Sequence, residues 1–202
     1  MEILESSSKT SSPKTFGSGP AFFVLCLTGG AATAISLISI PFLSPAFRKV
    51  CLPYVPASES QIVNVLSALR NRSGTLIDLG SGDGRIVRAA ANYGFQATGV
   101  ELNFWLVLYS RFLSLCKGYS RSCSFHRRNL WSLNLKPYSN VVIFGTEDMM
   151  PQIEKKFVTE LEDGSAVVAC RFPLPNLKAS KIIGEGIDTV WLYEIFKGHQ
   201  RL

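Results

Sequence analysis

The chain has 202 residues, 47% of them hydrophobic and only 18% charged, enough to bury one full core plus an appendage. The formal charge of +6 leaves nucleic acid, anionic lipid and acidic partners open, because basic charge alone does not separate them. Five cysteines (Cys26, Cys51, Cys116, Cys123 and Cys170) contain no C-x-x-C pair, and His126 and His199 are the two histidines. This excludes a disulfide framework and a zinc centre and leaves reduced thiols.

Residues 1–20 form an expected disordered leader in which Glu2 and Glu5 stand against Lys9 and Lys14, with no arginine. A secretory leader needs a basic start, and a transit peptide is Arg-rich and acid-poor, so neither fits. No charge occurs between Lys14 and Arg48, and 21–42 is almost wholly apolar or small. That length predicts an uncleaved transmembrane anchor, closed by Pro41 and Pro45. Arg48 and Lys49 then place the following domain on the positively charged side, cytosol or matrix. Residues 43–57 read as a linker, stiffened by Pro53 and Pro56.

The domain is expected over 58–202. Ser58-Glu59-Ser60-Gln61 has the form of a capping box, followed at helical spacing by Ile62, Val65, Leu66 and Leu69. An apolar strand over 76–79 then runs into the turn Gly80-Ser81-Gly82-Asp83-Gly84 and a helix carrying Ile86, Val87 and Ala89 to Ala91. Glycines at alternate positions allow a sharp turn and leave no Cβ between backbone and ligand. A second strand, 96–101, ends in Glu101, and Asn103 caps a third helix that closes at Lys117-Gly118. Strands are expected at 122–127, 140–145 and 165–171, a helix at 149–161, and a sixth strand at 186–196. Alternating strands and helices predict an α/β, mainly parallel sheet with helices on both faces, whose ligands bind at the carboxyl strand ends.

The dinucleotide fingerprint G-x-G-x-x-G fails here, because the third glycine comes one position early and Asp78 and Asp83 lie in or beside the loop. Phosphates avoid carboxylates, whereas a cationic ligand tolerates them. The ligand is therefore expected to carry positive charge. The densest basic cluster, Arg121, His126, Arg127 and Arg128, lacks the interleaved aromatics of a stacking platform, so nucleic acid is not the expected partner.

The pattern Asp78-x-Gly80-x-Gly82-x-Gly84 resembles motif I of the Rossmann-like class I S-adenosylmethionine-dependent methyltransferases, and Glu101 resembles their second-strand acid. The resemblance implies that Asp78, Gly80, Ser81, Gly82, Asp83 and Gly84 face the methionine part of the cofactor. It also implies that Glu101 binds the ribose hydroxyls and that Asn129, after strand three, lies near the adenine. No metal is implied. Further segments, Pro53-Tyr54-Val55-Pro56-Ala57, Ala169-Cys170-Arg171-Phe172-Pro173 and 184–191, resemble the small mitochondrial lysine methyltransferases, whose members act on the ATP synthase c-subunit and the adenine nucleotide translocase. The amino-terminal region is more similar to the c-subunit branch. The implied protein is anchored in the mitochondrial inner membrane with its catalytic domain facing the matrix.

On the acceptor side, Glu147 and Asp148 either hold the incoming ammonium and pass its proton to water, or act as cap and first-turn acids of the following helix. Tyr54 and Pro56 either close over the cofactor or serve as linker. The chain stops at Leu202 with no visible partner for the sixth strand, so the seventh strand of the class I fold is expected to be missing. A shortened, weakly active or scaffolding form is one consequence; another open alternative is a methyltransferase for a lipophilic small molecule.

Overall fold

The computed structural model describes residues 20–43, 55–119 and 121–196. It divides into two units, Met1–Cys51 and Leu52–Leu202.

In the first unit the apolar run forms one helix, α1 (Pro20–Leu43). Thr28 and Thr33 return their hydroxyls to the carbonyls of Val24 and Gly29 one turn back, so the helix leaves neither group unsatisfied. The expected membrane-spanning helix is nevertheless not found: among the described residues no helix is long and apolar enough to cross a membrane. Residues 1–19 of the expected 1–20 leader and the flanking Pro45, Arg48, Lys49, Pro53 and Tyr54 lie outside the described residues, and Pro20 opens α1.

The second unit is a seven-stranded sheet: β1 (Thr75–Leu79), β2 (Gln96–Glu101), β3 (Cys123–Arg127), β4 (Asn140–Phe144), β5 (Ala166–Cys170), β6 (Lys181–Ile183) and β7 (Val190–Glu194), in the order β3-β2-β1-β4-β5-β7-β6. Pairing is parallel from β3 through β5, and β7 runs antiparallel to both β5 and β6. Helix α2 (Glu59–Ala68) precedes β1, and α3 (Arg85–Asn92), α4 (Phe104–Cys116) and α5 (Met150–Glu160) connect the strands from β1 to β3 and β4 to β5. Strands covered on both faces should be apolar throughout. Accordingly Val141 to Ile143 and all of β5 are buried.

Alternate residues of the central strands feed two cores. Leu76, Val142 and Val168 pack with α2 and α3, while Ile77, Leu79, Val141, Ile143 and Val167 pack with Ile153 and Phe157 of α5. By the two-residue period of a strand, Asp78 shares the face of Leu76. An acid thus occupies a core position under the start of α3.

The missing-strand expectation is corrected. The alternating segment expected as the sixth strand is β7, opened by a 3-10 turn at Gly186–Asp188, and the true sixth strand is the three-residue β6. So short a strand, mostly exposed at the sheet edge, carries no alternation long enough to read. The inference of a shortened or scaffolding form loses its ground with it. The capping box is half realised: the Gln61 amide donates to Ser58 Oγ at 3.0 Å, but the Gln61 side chain donates to Ile187 O at 3.2 Å instead of reaching back. Ser58 Oγ also donates to Asp188 at 2.6 Å, so α2 holds the turn that precedes β7.

Candidate cofactor and acceptor site

β1 and β4 are neighbours, yet the chain leaves β1 toward β2 on one side and β4 toward β5 on the other, which opens a crevice at the carboxyl end of β1. The loop after β1 fills this position. Gly80, Gly82 and Gly84 have φ of +81°, +52° and +75°, all in the left-handed region that favours glycine. The amides of Gly80 and Ser81 both donate to Val100 O, at 2.9 and 3.0 Å, and Gly84 N donates to Ser81 O at 2.8 Å. A Cβ on Gly84 would overlap the Phe125 ring and Ser110 Oγ, and one on Gly99 would overlap Phe125 and Ser81 Oγ. The turn is therefore closed to side chains by backbone angle at all three glycines and by contact as well at Gly84.

Glu101 is tied into this loop from the tip of β2. Its carboxylate accepts from Gly82 N at 3.1 Å and from Asn103 N at 2.9 Å, and Asn103 Oδ1 caps α4 through Trp105 N at 3.0 Å. Beneath the loop, Asp78 is buried and its Oδ1 has no hydrogen-bond partner. Burial, then the charges of Glu101 and Asp83, push its carboxyl up from 3.8 to about 8. Ser81 Oγ is likewise buried without a partner. A buried acid without a donor is costly and is met at sites built for a ligand. Here the missing donor is cationic or carries N–H groups.

Asp83 takes a different part from its neighbours. The Arg85 guanidinium grips it at 2.8 Å, with further bonds at 3.0 and 3.1 Å, and Arg85 also donates to Ala57 O at 2.6 Å. Burial works to raise the Asp83 carboxyl, but Arg85 outweighs it and holds the group below the usual carboxylate range. Asp83 and Arg85 thus fasten the loop to the segment entering α2. In the sequence the only signal for Arg85 is its place directly after the last loop glycine.

Asn129 follows β3 and is exposed, its Oδ1 accepting from Trp131 N at 3.1 Å to cap a 3-10 turn at Leu130–Ser132. The neighbouring Arg128 N donates to Glu101 O at 3.2 Å, which keeps this turn on the edge of the site. Glu147 and Asp148 occupy a 3-10 turn, Glu147–Met149, after β4, where both are exposed and stand in the first turn before α5. They share the carboxyl edge of the sheet with the loop through the pairing of β4 to β1. Pro56 is exposed beside the buried Ala57.

One further residue stands at this edge. Arg171, directly after β5, has φ +70°, an uncommon angle for a residue with a side chain. Its guanidinium lies 5.3 Å from the centroid of Phe144, the last residue of β4, and its Nε is buried without a partner. Only the fold brings Arg171 to Phe144, through the pairing of Cys170 with Phe144.

The residues fit S-adenosylmethionine: a turn of three left-handed glycines, an orphaned buried acid suited to an ammonium, and a strand-tip carboxylate. Comparison with known proteins gives the same cofactor class. The model of the ANTKMT methyltransferase domain matches residues 78–181, and that of the N-terminal domain of the ATP synthase c-subunit lysine N-methyltransferase matches 14–48. The ATP synthase c-subunit lysine N-methyltransferase of Xenopus laevis is 54% identical over 83% of this chain and 74% of its own. The human protein of that name is 51% identical over 89% and 78%. The mouse adenine nucleotide translocase lysine N-methyltransferase is 44% identical over 82% and 75%. Among solved structures, an RNA methyltransferase from Salinibacter ruber in complex with S-adenosyl-L-homocysteine is 26% identical, with a TM-score of 0.66 over 70% of this chain and 94% of that one.

Proposed function

The chain belongs to the ATP synthase c-subunit lysine N-methyltransferase family, and from that premise we propose that its substrate is a lysine of the ATP synthase c-subunit, methylated at the mitochondrial inner membrane on the matrix side. The enzyme is an S-adenosylmethionine-dependent protein-lysine N-methyltransferase. The adenine nucleotide translocase is the second substrate of this reading, favoured by the match of residues 78–181 to the translocase-enzyme domain. The observation that carries the activity is Asp78: a buried acid without a donor, under a glycine turn held by Glu101.

When bound, the cofactor supplies an electrophilic methyl group on a sulfonium. Asp78 and Ser81 would hold its amino-acid end, Glu101 its ribose, and the turn capped by Asn129 would border its adenine. Glu101 already accepts two amide hydrogen bonds, so its carboxylate is oriented before any ligand arrives. Such pre-orientation reduces the ordering that binding must accomplish.

A free lysine amine has a pKa near 10.4 and is protonated at neutral pH, so the nucleophile must lose a proton before attack. Glu147 and Asp148, exposed after β4, would receive that ammonium and pass its proton to solvent. Their exposure suits a macromolecular substrate that brings its own cover. Arg171, a fixed cation at the neighbouring strand end, disfavours the charged amine there.

The test is incubation of the full chain with S-adenosylmethionine and mitochondrial membranes lacking this activity, followed by mapping of methyl groups by mass spectrometry. Methyl-lysine on the c-subunit supports the proposal. Methylation of other membrane proteins while the c-subunit stays unmodified overturns the substrate, and product found only in the lipid fraction overturns the protein-substrate reading.

A further inference from the structure

α4 is buried along one side only. Leu106, Val107, Ser110 and Ser114 face the sheet, yet the opposite side is not polar. By the 3.6-residue repeat, Phe104, Trp105, Leu108, Tyr109, Phe112 and Leu115 fall within an arc of roughly 140° away from the core. All six are exposed, Phe112 by 62% and Leu115 by 67%. A helix apolar all round is normally covered all round. Contiguous apolar surface of this kind marks an interaction site.

The charge around this face indicates what covers it. From Leu102 to Thr146 the chain carries Arg111, Lys117, Arg121, Arg127, Arg128 and Lys136 and no acid. Lys136 pairs with Glu162, but no carboxylate among the described residues lies within ion-pair distance of the other five. Arg111 and Arg127 donate to the carbonyls of Phe125 and Leu102, which fixes both guanidinium groups beside the helix. An aromatic and aliphatic face rimmed by unneutralised cations matches the interface of an anionic bilayer, where Trp and Tyr sit at headgroup level and basic side chains meet phosphate. Leu108 and Leu115 lie among the four rings of this face, which suits insertion into an acyl surface rather than the stacking of successive bases.

We propose that the outward face of α4 docks the catalytic domain on an anionic lipid surface, placing the site edge, which begins at Glu101 just before the helix, next to membrane-embedded lysines. This deepens the c-subunit reading, but its test needs no turnover, so the two can fail separately. Full-length protein is mixed with phosphatidylcholine vesicles, with or without about 30% anionic phospholipid, carrying brominated acyl chains that quench nearby tryptophan.

The tryptophans are Trp105, Trp131 and Trp191, and α1 has none, so quenching reports this domain whatever the amino-terminal helix does. Expected are strong quenching on anionic vesicles, its loss in Trp105→Phe, and at least about tenfold weaker docking, read from the lipid dependence of quenching, in Leu108→Glu/Phe112→Glu. S-adenosylmethionine affinity should be unchanged. The charge reversal Lys117→Glu/Arg121→Glu weakens docking independently and keeps the question decidable if the apolar variant misfolds. Quenching that persists in Trp105→Phe, or that ignores anionic lipid, overturns the proposal. So does a dimer, or an RNA complex, that the α4 substitutions break while wild type shows no quenching.

Discussion

The strand ends flanking the crevice are built in opposite ways. After β1 and β2, three left-handed glycines, paired amides on Val100 O and the Glu101 carboxylate lock the chain into one shape over a buried acid. After β4, Glu147 and Asp148 stand exposed on a single 3-10 turn. The difference follows what each side must bind. A cofactor is the same small molecule at every turnover, so its site can be rigid and even destabilising when empty. A protein substrate brings its own backbone and excludes its own water, so its side can remain open.

The largest effect should come from breaking the rigid side. Gly84→Ala adds a Cβ at φ +75° against Phe125 and Ser110. The angle costs roughly 1 kcal/mol and the overlap about 1–3 kcal/mol. Thermal unfolding should shift down by several degrees and calorimetry should show no saturable S-adenosylmethionine binding; near-normal binding would show that the turn is not closed to side chains.

Asp78→Asn should divide stability from function. Its carboxyl titrates at about 8 when folded against 3.8 for the ordinary group, so the folded state holds a proton that the unfolded state releases. Wild-type stability from this group therefore falls as pH rises from about 4 to about 8. Without cofactor, the Asn variant should melt above wild type at pH 8, and the gap should close toward pH 4. Cofactor affinity should still drop about 30-fold or more, the cost of losing a charged partner in a buried site. A pH-independent gap would remove Asp78 as the source of strain.

Glu101→Gln keeps the shape of the strand tip but loses the charge and one of the two oxygens that accept from Gly82 N and Asn103 N, so affinity should fall about tenfold and the melting temperature should fall with it. On the open side, Glu147→Gln/Asp148→Asn should leave cofactor affinity within about twofold and lower kcat by up to about tenfold near neutral pH, since alignment and desolvation carry most of the barrier. If kcat is unmoved while melting temperature falls, the two acids serve only the start of α5.

What proved legible in the sequence was local. The glycine turn, the acid at the tip of β2 and the caps at Ser58 and Asn103 all depend on neighbours within a few residues, and the structure places them where those spacings require. The alternation of strands and helices was readable because each apolar run meets its own period. Properties set by residues far apart in sequence were not. Arg171 reads as no more than the residue after a strand until the pairing of β4 with β5 sets its guanidinium beside Phe144.

The chain by itself determined a parallel α/β sheet and a loop suited to a cationic cofactor, because backbone angles and periodicity are short-range properties. Only the tertiary structure decided that the last alternating segment is the seventh strand, since a three-residue edge strand exists only through its pairing with β7. It likewise left Asp78 without a donor and turned the apolar side of α4 outward, because burial and exposure belong to the packed sheet and to no single segment.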